Sequence, residues 1–227
     1  MKSEKNINRN ETEKRILPCE GENSVCLDYT DHVSFNKKQF TLDGSGEKLK
    51  IINAFFLDYL NAYNIITGYK GTVDKGIIFE KHSRYPFCVK IQNVADKENA
   101  KVFGVKEGTP LQTSLITFLY NSSFSISDSH FLAYNICPLE EIKMIRRICS
   151  KVNVVLKSYF ERRNLSLSEI LCYFGFEDNR IYVVDDFTSL SIKLKSEVKG
   201  LFKEPYKIST ANDFAVYTDF FINLIKS

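Results

Sequence analysis

The stretch SEILCYFGFEDNRIYVVDDFTSLSIK, residues 168–193, carries the reading of the fold. Ser168 to Phe174 and Arg180 to Asp186 are short runs rich in apolar and aromatic side chains. Glu177-Asp178-Asn179 between them is turn chemistry, so the pair reads as a β-hairpin. Ile181 to Val184 is an apolar strand that stops at the acidic pair Asp185-Asp186. Two carboxylates at a strand end, beside loops, can hold a Mg²⁺ that bridges nucleotide phosphates. Mg²⁺ takes one or two carboxylates and completes its shell with water and phosphate. The plain alternative is a polar strand terminus, and the two residues alone leave both readings open.

Upstream, Leu139 to Arg163 has helical periodicity: Ile142, Ile145, Ile148, Val152, Val155, Leu156, Tyr159 and Phe160 share one face. Glu140 and Glu141 in the first turn and Arg162 and Arg163 in the last complement the helix dipole, and Asn164 is a suitable stop. Lys143, Arg146, Arg147, Lys151 and Lys157 lie mostly off that stripe and read as a solvated face. A second helix is marked by Leu49, Ile52, Phe55, Phe56, Tyr59, Leu60 and Tyr63, after a turn at Asp43-Gly44-Ser45-Gly46. A third starts near Ala211, capped by Ser209 or Thr210, with Phe214, Tyr217, Phe220, Phe221, Leu224 and Ile225 as its stripe. Residues 14–42 read as short strands, as do Ile77 to Glu80 and Phe87 to Ile91 around a loop containing Pro86. Residues 92–108 look loop-like, and Leu111 to Tyr120 reads as a short helix. Asn121 to His130 reads as an irregular Ser-rich loop of the kind that carries function.

The 227 residues, 44% hydrophobic and 26% charged, suffice for one sizeable core and point to one compact α+β domain. The polar stretch Met1 to Glu13 has no apolar centre and reads as a flexible arm rather than a secretory signal, so a cytoplasmic protein is expected. No run approaches the roughly 20 apolar residues of a membrane span. A net charge of +3 gives no footprint for nucleic acid. The six cysteines are scattered without a CxxC pair and are expected as buried thiols. His32, His82 and His130 stand far apart, which argues against a His-based metal site. No nucleotide-loop, hydrolase-elbow or zincin motif occurs. Ser127, Asp128 and His130 are close in sequence, which is no evidence for the geometry of a catalytic triad.

The order of segments resembles the phosphoribosylaminoimidazole-succinocarboxamide (SAICAR) synthetase family. Ser150 to Gly175 is similar to that family's long helix followed by a strand reading VDxKxEFG, and Ile181 to Lys193 to its LxDExSPDxxR segment. Tyr85 to Gly108 is similar to its PxExVxR strand and continuation, Asp28 to Thr67 to its early strand, loop and first helix, and Thr210 to Lys226 to its last helix. The resemblance implies a two-lobed α+β fold: an antiparallel N-terminal sheet with a helix, about residues 14–88, and a larger C-terminal half, about 89–227. It implies ATP between the lobes and amide formation between a small-molecule carboxylate and an amine through an acyl phosphate. Neither a nucleic-acid nor a membrane partner is expected, and a homo-oligomer is a further implication.

By that resemblance Asp185 and Asp186 hold Mg²⁺, with Asp185 and Lys193 in catalytic positions. Lys14, Arg15 and Glu169 meet the nucleotide, and Ser34, Asp128 and Thr188 meet the substrate. The chain also departs from the pattern. The GKxR loop falls at Glu11-Thr12-Glu13-Lys14-Arg15 without its Gly, and the second strand motif keeps its first acid as Glu169 but has Leu171 for Lys and Tyr173 for the next acid. Cys88 and Gln92 replace Glu and Arg, Lys97-Glu98 replaces Gly-Ser, Ser189-Leu190 replaces Pro-Asp, and Lys193 replaces Arg. Lysine cannot grip a carboxylate bidentately as arginine can. These losses strip the usual ribotide recognition, so the reading is an ATP-dependent carboxylate–amine ligase on another, unidentified substrate. The alternatives are a catalytically inactive relative acting as a binding or regulatory partner, and a highly diverged purine-biosynthesis synthetase.

Overall fold

Two antiparallel sheets divide the chain. The computed structural model describes residues 11–18, 23–35, 38–74, 76–196 and 208–227. Most of the expected N-terminal arm, and Cys19, lie outside the described residues.

The first sheet holds β1 (Glu11–Leu17), β2 (Ser24–Phe35), β3 (Lys38–Thr41), β4 (Tyr69–Val73) and β5 (Gly76–Glu80), in the order β1-β2-β5-β4 with β3 on the far half of β2. Helix α1 (Ser45–Ala62) packs on it, burying Leu49, Ile52, Phe56, Leu57 and Leu60. Its N-terminus is held by Asp31, whose carboxylate accepts from the Gly44 and Gly46 amides at 3.1 and 2.8 Å. Gly44 takes the left-handed conformation, φ 73°, which costs glycine nothing.

The second sheet holds β6 (Ser83–Val94), β7 (Pro110–Tyr120), β8 (Phe124–Ile126), β9 (Leu165–Glu177), β10 (Arg180–Val184) and β11 (Ile192–Ser196). Its order is β10-β9-β6-β7-β8, with β11 beside the first half of β9. Helix α4 (Leu139–Glu161) covers one face, and α5 (Ala211–Lys226) returns to pack on α1. Thr210 caps α5, its hydroxyl accepting from the Asp213 amide at 3.1 Å. The sheets are tied where Thr67, just before β4, bridges Val183 of β10. Val183 donates to the Ile66 carbonyl, and Gly68 donates to the Val183 carbonyl, each at 3.0 Å.

Several local expectations are corrected. Leu111 to Tyr120 is strand β7, not a helix: Ile116, Thr117, Phe118 and Tyr120 suit a pleated surface, and β6 supplies the partner backbone. Residues 92–108 contain α2 (Lys97–Phe103), capped by Asp96 and ended by Gly104 at φ 66°. Residues 121–130 contain β8 and the start of α3 (Asp128–Ala133). Strands β4 and β11 were not foreseen. Glu11 to Glu13 belong to β1 rather than to an arm, and the expected boundary after residue 88 falls inside β6. Pro86 sits within β6, where the pairing with β9 slips between Arg84 and Cys88, an irregularity of the kind that accommodates proline in a strand. The five described cysteines are buried, and no disulfide joins any two of them.

Candidate active site

Strand β10 delivers Asp185 and Asp186 to the seam between the sheets. Both are buried, at 1% and 6% exposure, so their charges need partners. Lys14 reaches them from β1 on the first sheet. Its ammonium pairs directly with Asp185 and lies 3.3 Å from Asp186. Arg84 reaches Asp185 from β6 on the second sheet, Nη2 to Oδ1 at 2.9 Å. Two cations thus converge from opposite walls on two adjacent carboxylates.

Aromatic rings set their positions. Lys14 pairs across the strands with Tyr29 and sits 4.8 Å over its ring. The Tyr29 hydroxyl accepts from Asn53 Nδ2 at 2.6 Å, and Asn53 Oδ1 accepts from the Phe187 amide at 2.8 Å. Asn53 therefore locks α1 both to the ring beneath Lys14 and to the backbone after Asp186. Arg84 lies 5.5 Å over Tyr173.

The electrostatics are lopsided. Burial alone would raise the Asp185 pKa, but Arg84 and Lys14 hold it down at about 2. Burial raises Asp186, with Lys14 opposing and Asp185 adding to the rise. Burial disfavours the charge on Lys14, yet the two carboxylates outweigh it and raise its pKa.

Above the pair opens a cleft of about 860 Å³. Its first-sheet wall carries Lys14, His32, Ser34 and Thr41, and its second-sheet wall carries Arg84, Tyr85, Ser122 and Tyr173, with Asp186 between them. Asp186 Oδ1 is buried without a hydrogen-bond partner among the described residues. An orphan carboxylate oxygen is costly unless something fills it, and a bound cation would fit that atom. No group of three or more metal-ligating side chains occurs among the described residues. Mg²⁺ needs only one or two carboxylates.

The other expected site residues scatter. Arg15 follows Lys14 in a strand, so strand alternation turns it to the opposite face, where it lines a separate shallow hollow with Asp28, Glu47 and Asp74. Glu169 and Lys193 pair with each other at 2.6 Å on the second sheet and do not line the cleft. Thr188 is fully buried and serves the turn between β10 and β11, its hydroxyl accepting from the Leu190 amide at 3.2 Å. Asp128 is exposed at the start of α3, paired with Arg146 at 2.7 Å. The His130 ring nitrogen Nδ1 pairs with the Ser127 hydroxyl at 2.8 Å. Of the expected substrate residues, Ser34 alone lines the cleft. Arg84, Tyr29, Tyr173 and Asn53 were missed in these roles. Asn53 had a readable signal, a polar residue inside the apolar stripe of α1. Arg84 had none, because its role depends on the pairing of β6 with β9.

This fold is that of ATP-dependent ligases of the succinocarboxamide synthetase type. A phosphoribosylaminoimidazole-succinocarboxamide synthase from Ehrlichia chaffeensis superposes with a TM-score of 0.83 at 22% identity, covering 94% of this chain and 96% of that one. A SAICAR synthetase in complex with ADP gives 0.84 at 21% identity, with 96% and 97% covered. In sequence, the phosphoribosylaminoimidazole-succinocarboxamide synthase of Streptococcus agalactiae is 28% identical over 190 residues, 80% of this chain and 81% of its own. The SAICAR synthetase family model matches residues 13–200, and the chain belongs to that family. No helix among the described residues is long and apolar enough to cross a membrane.

Proposed function

We propose that the inter-sheet cleft is the nucleotide site of an ATP-dependent carboxylate–amine ligase that works through an acyl phosphate. The observation that carries this reading is the convergence of Lys14 and Arg84 on Asp185 and Asp186 at the cleft floor, with one Asp186 oxygen unpartnered among the described residues. Phosphoryl transfer asks a protein mainly for positioning and for neutralisation of charge on the moving group. Mg²⁺, when held by Asp186 and Asp185, would supply charge neutralisation on the nucleotide phosphates. Lys14, steadied by Tyr29, lies where it can take the phosphate oxygens. The substrate carboxylate attacks the γ-phosphorus, and ADP leaves with the bond electrons. The amine then attacks the acyl carbon; a C–N bond forms, the C–O bond to phosphate breaks, and the amine proton departs with phosphate.

The substrate is proposed to be a carboxylate other than the usual ribotide. Gln92 is buried and donates to Asp96 at 2.6 Å, while Lys193 is tied to Glu169. Neither position offers an arginine fork. The 28% identity to a succinocarboxamide synthase favours the second reading, SAICAR itself. Reverse turnover separates the two. ATP formed from SAICAR, ADP and phosphate establishes the second. Mg-ADP binding without that turnover, together with ADP release on a panel of other carboxylates and amines, supports the first. Failure to bind Mg-ATP or Mg-ADP at millimolar concentration ends both.

A further inference from the structure

Arg84 is the one arginine that lines the cleft among the described residues. Its side chain is 48% exposed although Asp185 holds one of its nitrogens. Among the described residues it donates only through Nη2, to the Asp185 carboxylate at 2.9 Å and to the Asp185 carbonyl at 3.5 Å. Nε and Nη1 therefore keep their protons for a ligand. The guanidinium is oriented from two sides, by the carboxylate and by the Tyr173 ring. Lys14, the other cation, stands on the opposite sheet and already contacts both carboxylates.

An acid pair bracketed by cations from both walls has an asymmetry suited to a group passing between two substrates. We infer that Arg84 binds the phosphoryl group in transit from ATP to the substrate carboxylate and is a catalytic residue of this chain. The inference rests on the ligase reading. In that step the bond from the γ-phosphorus to the ADP oxygen breaks and a bond to the carboxylate oxygen forms. ADP keeps the electron pair, and no proton moves. Charge spreads over the three equatorial oxygens of the moving group, and a planar guanidinium fork matches two of them as an ammonium cannot. The cleft wall beside Arg84 adds Ser122 and Tyr173, which leaves the acceptor side polar but uncharged.

Calorimetry with two probes tests this: Mg-ADP alone, and Mg-ADP with aluminium fluoride, a planar anion that stands for the moving phosphoryl. The protein is expected to bind the fluoride complex at least about tenfold more tightly than Mg-ADP, the scale of one well-placed charged donor. Arg84→Gln is expected to lose that gain, its affinity for the fluoride complex falling at least about tenfold further than its affinity for Mg-ADP. Arg84→Lys preserves the pair with Asp185, so it covers the case in which the glutamine variant does not fold, and it should lose most of the gain. Full retention of the gain in either folded variant overturns the inference, as does an equal loss of affinity for both probes. Binding of Mg-ADP by the unaltered protein with no gain from fluoride refutes the role of Arg84 alone. No binding of Mg-ADP refutes the ligase reading as well.

Discussion

Asp185 keeps its negative charge inside the protein because Arg84 and Lys14 face it from two sheets. Its pKa, held at about 2, lies below the ordinary carboxylate value, so it adds stability above pH ~4 that is lost as the pH falls through about 2. Asp186 has the opposite sign: its raised pKa favours the folded state when protonated, and that contribution fades as the pH rises through its folded value. Lys14→Met removes the cation common to both. Urea unfolding should show a loss of roughly 3 kcal/mol at pH 7, the scale of stranding a buried charge. The deficit should shrink as the pH drops toward 3, where the variant's carboxylates take up protons. A deficit independent of pH would mean that Lys14 acts through packing alone. At the same scale, Asp185→Asn should lower any ATP-dependent turnover at least about a hundredfold by loosening both cations.

At the scale of elements, strand β1 shows what periodicity decides. Lys14 and Arg15 are equivalent as sequence, but alternate strand positions send one to the cleft and the other to a separate hollow. The helices α1, α4 and α5 were legible because each carries a long apolar stripe. The hairpin β9–β10, with its acidic end, was legible for the same local reason. Strand β7 was not, because Leu111, Leu115 and Leu119 recur at helical spacing and only pairing with distant β6 settles the conformation. Within the site, Asp185, Asp186, Lys14 and Ser34 were legible. Arg84, Glu169, Lys193 and Thr188 found their places through sheet register and turn geometry, which local sequence does not state. Helix α1 meets β2 through a backbone approach that only glycine allows: a Cβ on Gly46 would lie 2.1 Å from the Tyr29 carbonyl oxygen. Gly46→Ala should therefore cost more than about 2 kcal/mol, seen as a fall in melting temperature of several degrees. Because Tyr29 supports Lys14, nucleotide affinity should fall with it. An unchanged melt would show that α1 can slide without penalty.

At the scale of the whole molecule, the cleft exists because two sheets are tied at one edge by the Thr67–Val183 bridge and open above Asp186. The segment that makes the tie runs on from Val183 directly into the acidic pair, so the tie between the sheets and the floor of the candidate site are one stretch of chain. The family's fold is kept across the chain. Under the proposed reading, the acidic pair and Lys14 serve the nucleotide, and Gln92 and Lys193 leave the usual ribotide without an arginine fork. The most direct test is a calorimetric titration of ADP, with and without Mg²⁺, into the protein and into Asp186→Asn. A nucleotide site at the acidic pair gives saturable, Mg²⁺-dependent binding that stabilises the fold by about 2.7 kcal/mol at one hundred times Kd, and at least about tenfold weaker binding in the variant. Equal affinity in both proteins, or no binding to either, contradicts it.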